Sequence, residues 1–365
     1  MSDPAGGGVV HLDSAAAGRM APETVEAVGA HLDREVARGA YVAEEEAGEA
    51  LVGLRRDLAA LFGVPDDGVA LVESGTTALQ VLIDSWSVRP GDRVGVAPSE
   101  WGPNLEAFEA AGAICVPLPV DTHGAIDHEA LGMDLDRLAL TLVHVDQVTS
   151  HRGLVQPVAE VVAACAPAGV PVWVDAAQTL GHRVPAVGAA ASYATSRKWL
   201  RGPRGVGMLA VAAEHWDRLQ APPQRKHPGA GPLRLLESGE SNVAGRVGRA
   251  TALAAYREAG PAWVEAELDR VGERTREHLA DAPGWSVLPG RGAITALRPW
   301  AGQDVSVVRA RLLAEHGVLT TASLGWRAPL DPVDPTLRLS PHLDCTDDDL
   351  ERVVVALRAL APAIG

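Results

Sequence analysis

At 365 residues, with 47% hydrophobic and 22% charged side chains, the chain has the makeup of a soluble globular protein long enough for two domains. A net charge of -15 argues against nucleic acid and anionic membrane surfaces as partners, because both call for basic patches. Three cysteines without a CxxC pair, an N-terminus without a basic and apolar leader, and no apolar run approaching ~18 residues point to the cytoplasm.

In chain order, Val25, Val28, Leu32 and Val36 share one helical face, and Leu51, Leu54, Leu58 and Leu61 share the next. Val69 to Val72 reads as a short buried strand, followed by Ser74-Gly75-Thr76-Thr77 and a helix with Leu79, Leu82, Ile83 and Trp86 inward. Strands are expected at Arg93 to Ala97, Ile114 to Leu118, Leu140 to Val145, Val170 to Val174 and Val206 to Val211, with helices between most of them. Such alternation predicts an α/β fold with a mostly parallel sheet covered on both faces, and ligands at the carboxyl ends of its strands. Ser74, Ser150 and Asp175 each fall just past an expected strand end, on one rim.

The Pro/Gly-rich stretch from Ala221 to Pro232 marks the approach to a domain boundary. Helices over Val243 to Ala259 and Ala262 to Ala280 follow. Strands at Ile294 to Arg298, Val318 to Thr321 and Leu337 to Ser340, and a last helix capped by Thr346, complete a smaller α+β domain. The expected division is an N-terminal arm at 1–20 packing with the small domain, a large domain at 21–240 and a small domain at 241–365.

Chemistry concentrates in three places. Ser74-Gly75-Thr76-Thr77 opens a helix, where free amides and hydroxyls suit a phosphate, although a capping serine beside a turn glycine reads equally well. No GxxxxGK or GxGxxG run offers a nucleotide alternative. Asp175 closes the strand Val172-Trp173-Val174, either as a helix cap or as a carboxylate against a pyridinium nitrogen, with Gln178 one turn on. Lys198 follows in Ser196-Arg197-Lys198-Trp199-Leu200, ahead of a glycine-rich turn; it reads either as a solvated surface charge or, with Arg197 and Arg201 as neighbouring cations, as a desolvated amine of lowered pKa that serves as nucleophile and base. A lysine that joins an aldehyde and an aspartate that holds a ring proton are what pyridoxal 5'-phosphate asks of a protein.

Arg338, in Leu337-Arg338-Leu339-Ser340, suits a substrate carboxylate through its bidentate fork, or else a surface salt bridge. His144, Asp146 and His151 lie close together, but without HExxH or Cys/His ligand spacing they read as structural, and no metal is expected.

Together these residues resemble the class V aminotransferase family of fold-type I pyridoxal phosphate enzymes. The resemblance runs from His11-Leu12-Asp13-Ser14-Ala15-Ala16-Ala17 through the three segments above to Arg338-Leu339-Ser340. It implies a seven-stranded, mostly parallel sheet in a three-layer large domain. Lys198 is then the cofactor lysine, Asp175 the partner of the pyridinium, and Gln178 that of the phenolic oxygen. Gly75, Thr76, Thr77, Ser196 and Arg197 hold the phosphate, Ser150 adds a contact, and Trp101 in Glu100-Trp101-Gly102-Pro103-Asn104 stacks on the ring. Arg338 holds the substrate carboxylate. The family's dimers place the Gly239-Glu240-Ser241-Asn242 stretch beside the neighbouring phosphate, though Glu240 replaces the usual threonine.

The loop from Thr320 to Pro329 lacks the cysteine that desulfurases need. Gly39-Ala40-Tyr41-Val42-Ala43, Glu100 to Leu105, Ser150-His151-Arg152-Gly153, the Lys198 segment and Arg338 to His342 are instead similar to the family's hercynylcysteine sulfoxide lyases. That branch implies a carbon–sulfur β-lyase yielding a sulfenic acid that is reduced to ergothioneine, with pyruvate and ammonia. Tyr41 is the candidate acid toward sulfur. Trp101, Trp326 and Tyr41 offer aromatic faces to a trimethylammonium group, and Arg327 is a further substrate contact. Other class V activities, a cofactor-binding regulator and a nicotinamide dehydrogenase are the alternatives.

Overall fold

The structure is a computed structural model that describes residues 8–220, 231–300, 302–331 and 333–361; the expected boundary loop lies outside them up to residue 230. The chain opens with β1 (Val10–His11), α1 (Ser14–Ala17), α2 (Pro22–Arg38), α3 (Ala40–Glu46) and α4 (Gly48–Phe62). Next come β2 (Val69–Val72), α5 (Gly75–Trp86), β3 (Arg93–Val96), α6 (Gly102–Ala110), β4 (Ile114–Pro117) and α7 (His128–Leu138). β5 (Leu142–Asp146), α8 (Val158–Cys165), β6 (Val172–Asp175), β7 (Ala191–Thr195) and β8 (Gly207–Val211) complete the large sheet. α9 (Val243–Ala259), α10 (Pro261–Leu279), β9 (Trp285–Val287), β10 (Thr295–Pro299) and α11 (Val305–His316) follow. β11 (Val318–Leu319), β12 (Thr321–Ser323), β13 (Thr336–Leu339) and α12 (Asp347–Leu360) end the fold.

The seven strands lie in the order β2-β8-β7-β6-β5-β3-β4, and all pairings are parallel except those of β8. Alternate residues of the buried strands feed the two faces, as the two-residue period requires. Val143, Val145 and Val174 join Leu54 and Leu58 of α4 on one side. Leu142, Trp173 and Tyr193 join Leu79 and Leu82 of α5 on the other. This is a three-layer α/β domain. The second sheet, β12-β13-β10-β9, is antiparallel and packs Leu297, Leu337 and Leu339 against Leu350 and Val353 of α12. Thr346 and Asp349 start that helix with reciprocal capping bonds.

Several expectations shift in the folded chain. β7 has no apolar run, yet all five of its residues are buried. A Cβ on Gly75, at the start of α5, would meet the Tyr193 ring of this strand at 3.7 Å, an ordinary contact distance. The single strand expected at Val318 to Thr321 divides: β11 pairs in parallel with β1, and β12 pairs with β13. β1 thereby ties Val10 and His11 to Val318 and Leu319. α9 packs on α2 and α4, and its Ala252, Leu253 and Tyr256 enter the core on one face of the large sheet.

Candidate active site

The strand ends of β2, β5, β6 and β7 open onto one pocket, whose wall includes Ser74, Ser150, Asp175 and Lys198. Ser74 caps α5, its Oγ accepting from the Thr77 amide at 2.9 Å and lying 2.9 Å from the Thr77 hydroxyl. The first-turn amides of Gly75 and Thr76 are left for a ligand, as at any helix start. Thr76 lines the pocket, whereas Thr77 is occupied with the cap. Behind this turn, a Cβ on Gly207 would lie 2.5 Å from the Ser74 carbonyl carbon, so only glycine lets β8 run so close.

Asp175 ends β6. Its Oδ1 accepts from the Ala177 amide at 2.7 Å, and its Oδ2 accepts from Asn104 Nδ2 at 3.1 Å and the Tyr193 hydroxyl at 3.2 Å. A chain of bonds continues inward. Tyr193 has one proton and gives it to Asp175, so His144 Nε2, 3.1 Å away, must be the donor to Tyr193. His144 Nδ1 is then the acceptor for Glu100 at 2.9 Å. This assignment needs a proton on Glu100, and burial raises that carboxyl to about 7. Burial also holds neighbouring Asp146 well above the usual carboxylate range and lowers His144, which favours the neutral ring.

Glu100, His144 and Asp146 bring a ligand atom each within 4.8 Å of one another, but both His144 nitrogens are committed to Glu100 and Tyr193. His151, grouped with them in the sequence, instead meets Asp331 of the small domain at 2.9 Å. Tyr193 and its link to Asp175 escaped sequence reasoning, because a Tyr in an Ala/Ser/Thr strand carries no local signal.

Lys198 lies in the turn after β7. Trp199 fixes this turn from below: its indole stacks on His182 with centroids 4.0 Å apart and donates to Gln178 Oε1 at 2.8 Å. Gln178 Nε2 donates to the Ala15 carbonyl at 2.9 Å, so the N-terminal arm orients a residue of the pocket wall. Burial lowers the Lys198 amine to about 8, with Arg197 and Arg338 acting the same way and Asp175 opposing. Arg197 lines the pocket. Ser196 Oγ and Ser150 Oγ are buried without hydrogen-bond partners.

Arg338 is fully buried rather than part of a surface salt bridge. It donates to the Ser150 carbonyl at 2.7 Å and to Asp13 Oδ1 and Thr321 Oγ1 at 3.2 Å each, and its Nε has no partner. Trp101 stands in the pocket wall, edge to face with Trp326. Tyr41 is not brought in: it lies on α3, 80% exposed, and is absent from the wall of this pocket.

The aminotransferase class-V profile matches residues 10–318. The chain belongs to the class-V aminotransferase family. A probable hercynylcysteine sulfoxide lyase of Mycobacterium tuberculosis (strain CDC 1551 / Oshkosh) is 41% identical over 361 residues, 97% of this chain and 91% of that protein. A probable cysteine desulfurase of Vibrio cholerae serotype O1 is 26% identical, covering 96% of this chain and 93% of its own. Among solved structures, the cystine C–S lyase C-DES with cysteine persulfide superposes with a TM-score of 0.85 at 18% identity, covering 97% of this chain and 98% of its own.

As a class-V member the chain is an enzyme of pyridoxal 5'-phosphate, and its pocket fits that group. The α5 amides and the orphaned Ser196 hydroxyl suit a phosphate, Asp175 suits a ring nitrogen, and the Lys198 amine suits an aldehyde.

Proposed function

We propose that this chain is a carbon–sulfur β-lyase that cleaves hercynylcysteine sulfoxide, working as a cytoplasmic homodimer. The 41% identity to a probable lyase of that name, sustained over 97% of the chain, carries the reading. Pyridoxal phosphate, when bound, engages the substrate amine and accepts the electron pair released at Cα.

The protein's own groups do the rest. Arg338 exchanges its bond to Asp13 for the substrate α-carboxylate, to which a guanidinium fork is matched. Lys198, with its amine lowered to about 8, removes the Cα proton. Asp175 keeps the ring nitrogen protonated, held in place by Tyr193 and Asn104. The Cβ–S bond then breaks and sulfur departs as a sulfenate. Hydrolysis of the three-carbon remainder gives pyruvate and ammonia; the sulfenate takes up a proton, and two thiols reduce the sulfenic acid to ergothioneine, leaving as a disulfide with loss of water.

The cysteines speak against desulfurase chemistry. The segment 320–329 has none, and Cys345 is buried, with its thiol pushed up to about 12 by that burial. A sulfur nucleophile needs a thiolate. The dimer reading is supported by the apolar residues exposed along α2, α3 and α4: Val25, Leu32, Val36, Tyr41 and Val52. It gives Tyr41 a place at the subunit contact. Three free cysteines agree with a reducing compartment.

The test is incubation of the purified holoenzyme with hercynylcysteine sulfoxide and a thiol, with ergothioneine and pyruvate measured together. Equal yields of both, absent from Lys198→Ala, are expected. Alanine in place of pyruvate, or no release of either product, overturns the proposal.

A further inference from the structure

Arg197 and Arg338 both act on Lys198, and Arg338 acts on Arg327; two of these three guanidinium groups have tasks in the proposed lyase, Arg338 for the α-carboxylate and Arg197 for the phosphate. Arg327 is the third. Its guanidinium carbon lies 5.3 Å from the ring centre of Trp101 and 4.9 Å from that of Trp326, and the two indoles meet with centroids 5.2 Å apart. Trp101 belongs to the wall of the Lys198 pocket, and Arg327 and Trp326 adjoin that wall through it without lining the pocket themselves. A Cβ on Gly102 would strike the Trp326 carbonyl oxygen, which puts the start of α6 in backbone contact with the Gly325–Arg327 turn.

Arg327 has no hydrogen-bonded acid among the described residues, and its Nε is buried without a partner. Burial lowers the guanidinium to about 10; Arg338 adds to that effect and Asp13 opposes it. Asp13, however, is already bonded to Arg338 and Thr321. A half-buried cation without its own counter-ion, in a chain with 47 acidic residues, suits an anion from outside. The planar fork, stacked on aromatic faces, is matched to a carboxylate.

We propose that Arg327 anchors a second carboxylate of the substrate, one carried by the group that departs with sulfur, while the flanking indoles face that group's ring. This rests on the lyase reading and specifies its substrate class: cysteine sulfoxide conjugates whose sulfur substituent bears its own carboxylate. Trp101 and Trp326 are then not an open cage for a substrate cation, because the cation they share is Arg327 itself.

The direct test needs no turnover. Calorimetric titration compares hercynine, the trimethylated histidine betaine that carries the carboxylate in question, with its decarboxylated counterpart. Wild-type holoenzyme is expected to prefer hercynine. Arg327→Leu should reduce that preference about tenfold or more, as for loss of a charge-assisted hydrogen bond, and Arg327→Lys should restore only part of it. A second arm compares kcat/KM for hercynylcysteine sulfoxide and S-ethylcysteine sulfoxide; Arg327→Leu should shrink their ratio by a similar factor, through KM. An unchanged preference, equal losses for both probes, or no hercynine binding to wild type overturns the proposal. Wild type that releases pyruvate from neither conjugate sinks the lyase reading instead, whatever the calorimetry says.

Discussion

Lys198 is asked to be a nucleophile toward an aldehyde and a base toward a C–H bond, and both tasks need a neutral amine. With the amine near 8, roughly a tenth is unprotonated at pH 7 and roughly nine-tenths at pH 9. Stopped-flow mixing of apoenzyme with pyridoxal phosphate should therefore give a capture rate that climbs through pH 8 and then levels. A rate still rising steeply above pH 10, as an ordinary lysine would give, contradicts the buried setting. Tyr193 is expected to matter through Asp175. Tyr193→Phe deletes a donor 3.2 Å from that carboxylate, a bond to a charged group worth about 1.5–3 kcal/mol. It should lower kcat about tenfold or more and shift the visible band of the bound cofactor, since the charge opposite the ring nitrogen is less firmly held. A normal spectrum with normal kcat would reduce Tyr193 to packing. Lys198 and Asp175 were legible in the sequence because their chemistry leaves few substitutes. Tyr193, Asn104 and Asp13 were not, because each acts through a neighbour that only the fold supplies.

At the scale of elements, the site depends on how closely β8 passes the turn before α5. Gly207→Ala places a methyl 2.5 Å from the Ser74 backbone, so the turn must move. Overpacking of this kind costs about 1–3 kcal/mol, and here it displaces the α5 amides as well. We expect a lower Tm together with weaker retention of the cofactor in gel filtration. Gly132→Ala, inside α7 where the added atom would meet only the Ala164 Cβ at an ordinary 3.9 Å, should instead raise stability by about 0.5–1 kcal/mol. If the two variants melt alike, close packing at Gly207 is not what limits that turn. The strands with apolar runs, β2, β5 and β6, were readable from composition. β7 was not, since its Ala, Ser and Thr residues carry no apolar run although all five positions are buried.

For the molecule as a whole, the division into a large sheet domain and a smaller antiparallel one followed from the order of strand and helix patterns. The place of α9 did not. Its amphipathic face gives no hint of which layer it will cover, and it closes over α2 and α4. The exposed apolar residues of α2 and α3 carry the dimer proposal, and Val36 is the most exposed of them at 89%. Val36→Glu combined with Tyr41→Glu should halve the mass measured by light scattering while leaving the circular dichroism of the subunit intact. An unchanged mass would place the subunit contact elsewhere.

In the proposed lyase all of the chemistry passes through the amine at position 198. The chain has two lysines, Lys198 and Lys226, which makes the assignment directly readable. Borohydride reduction of the holoenzyme followed by peptide mapping should place the pyridoxyl mass on the peptide containing Lys198. The mass on Lys226, or on neither peptide, would contradict the account.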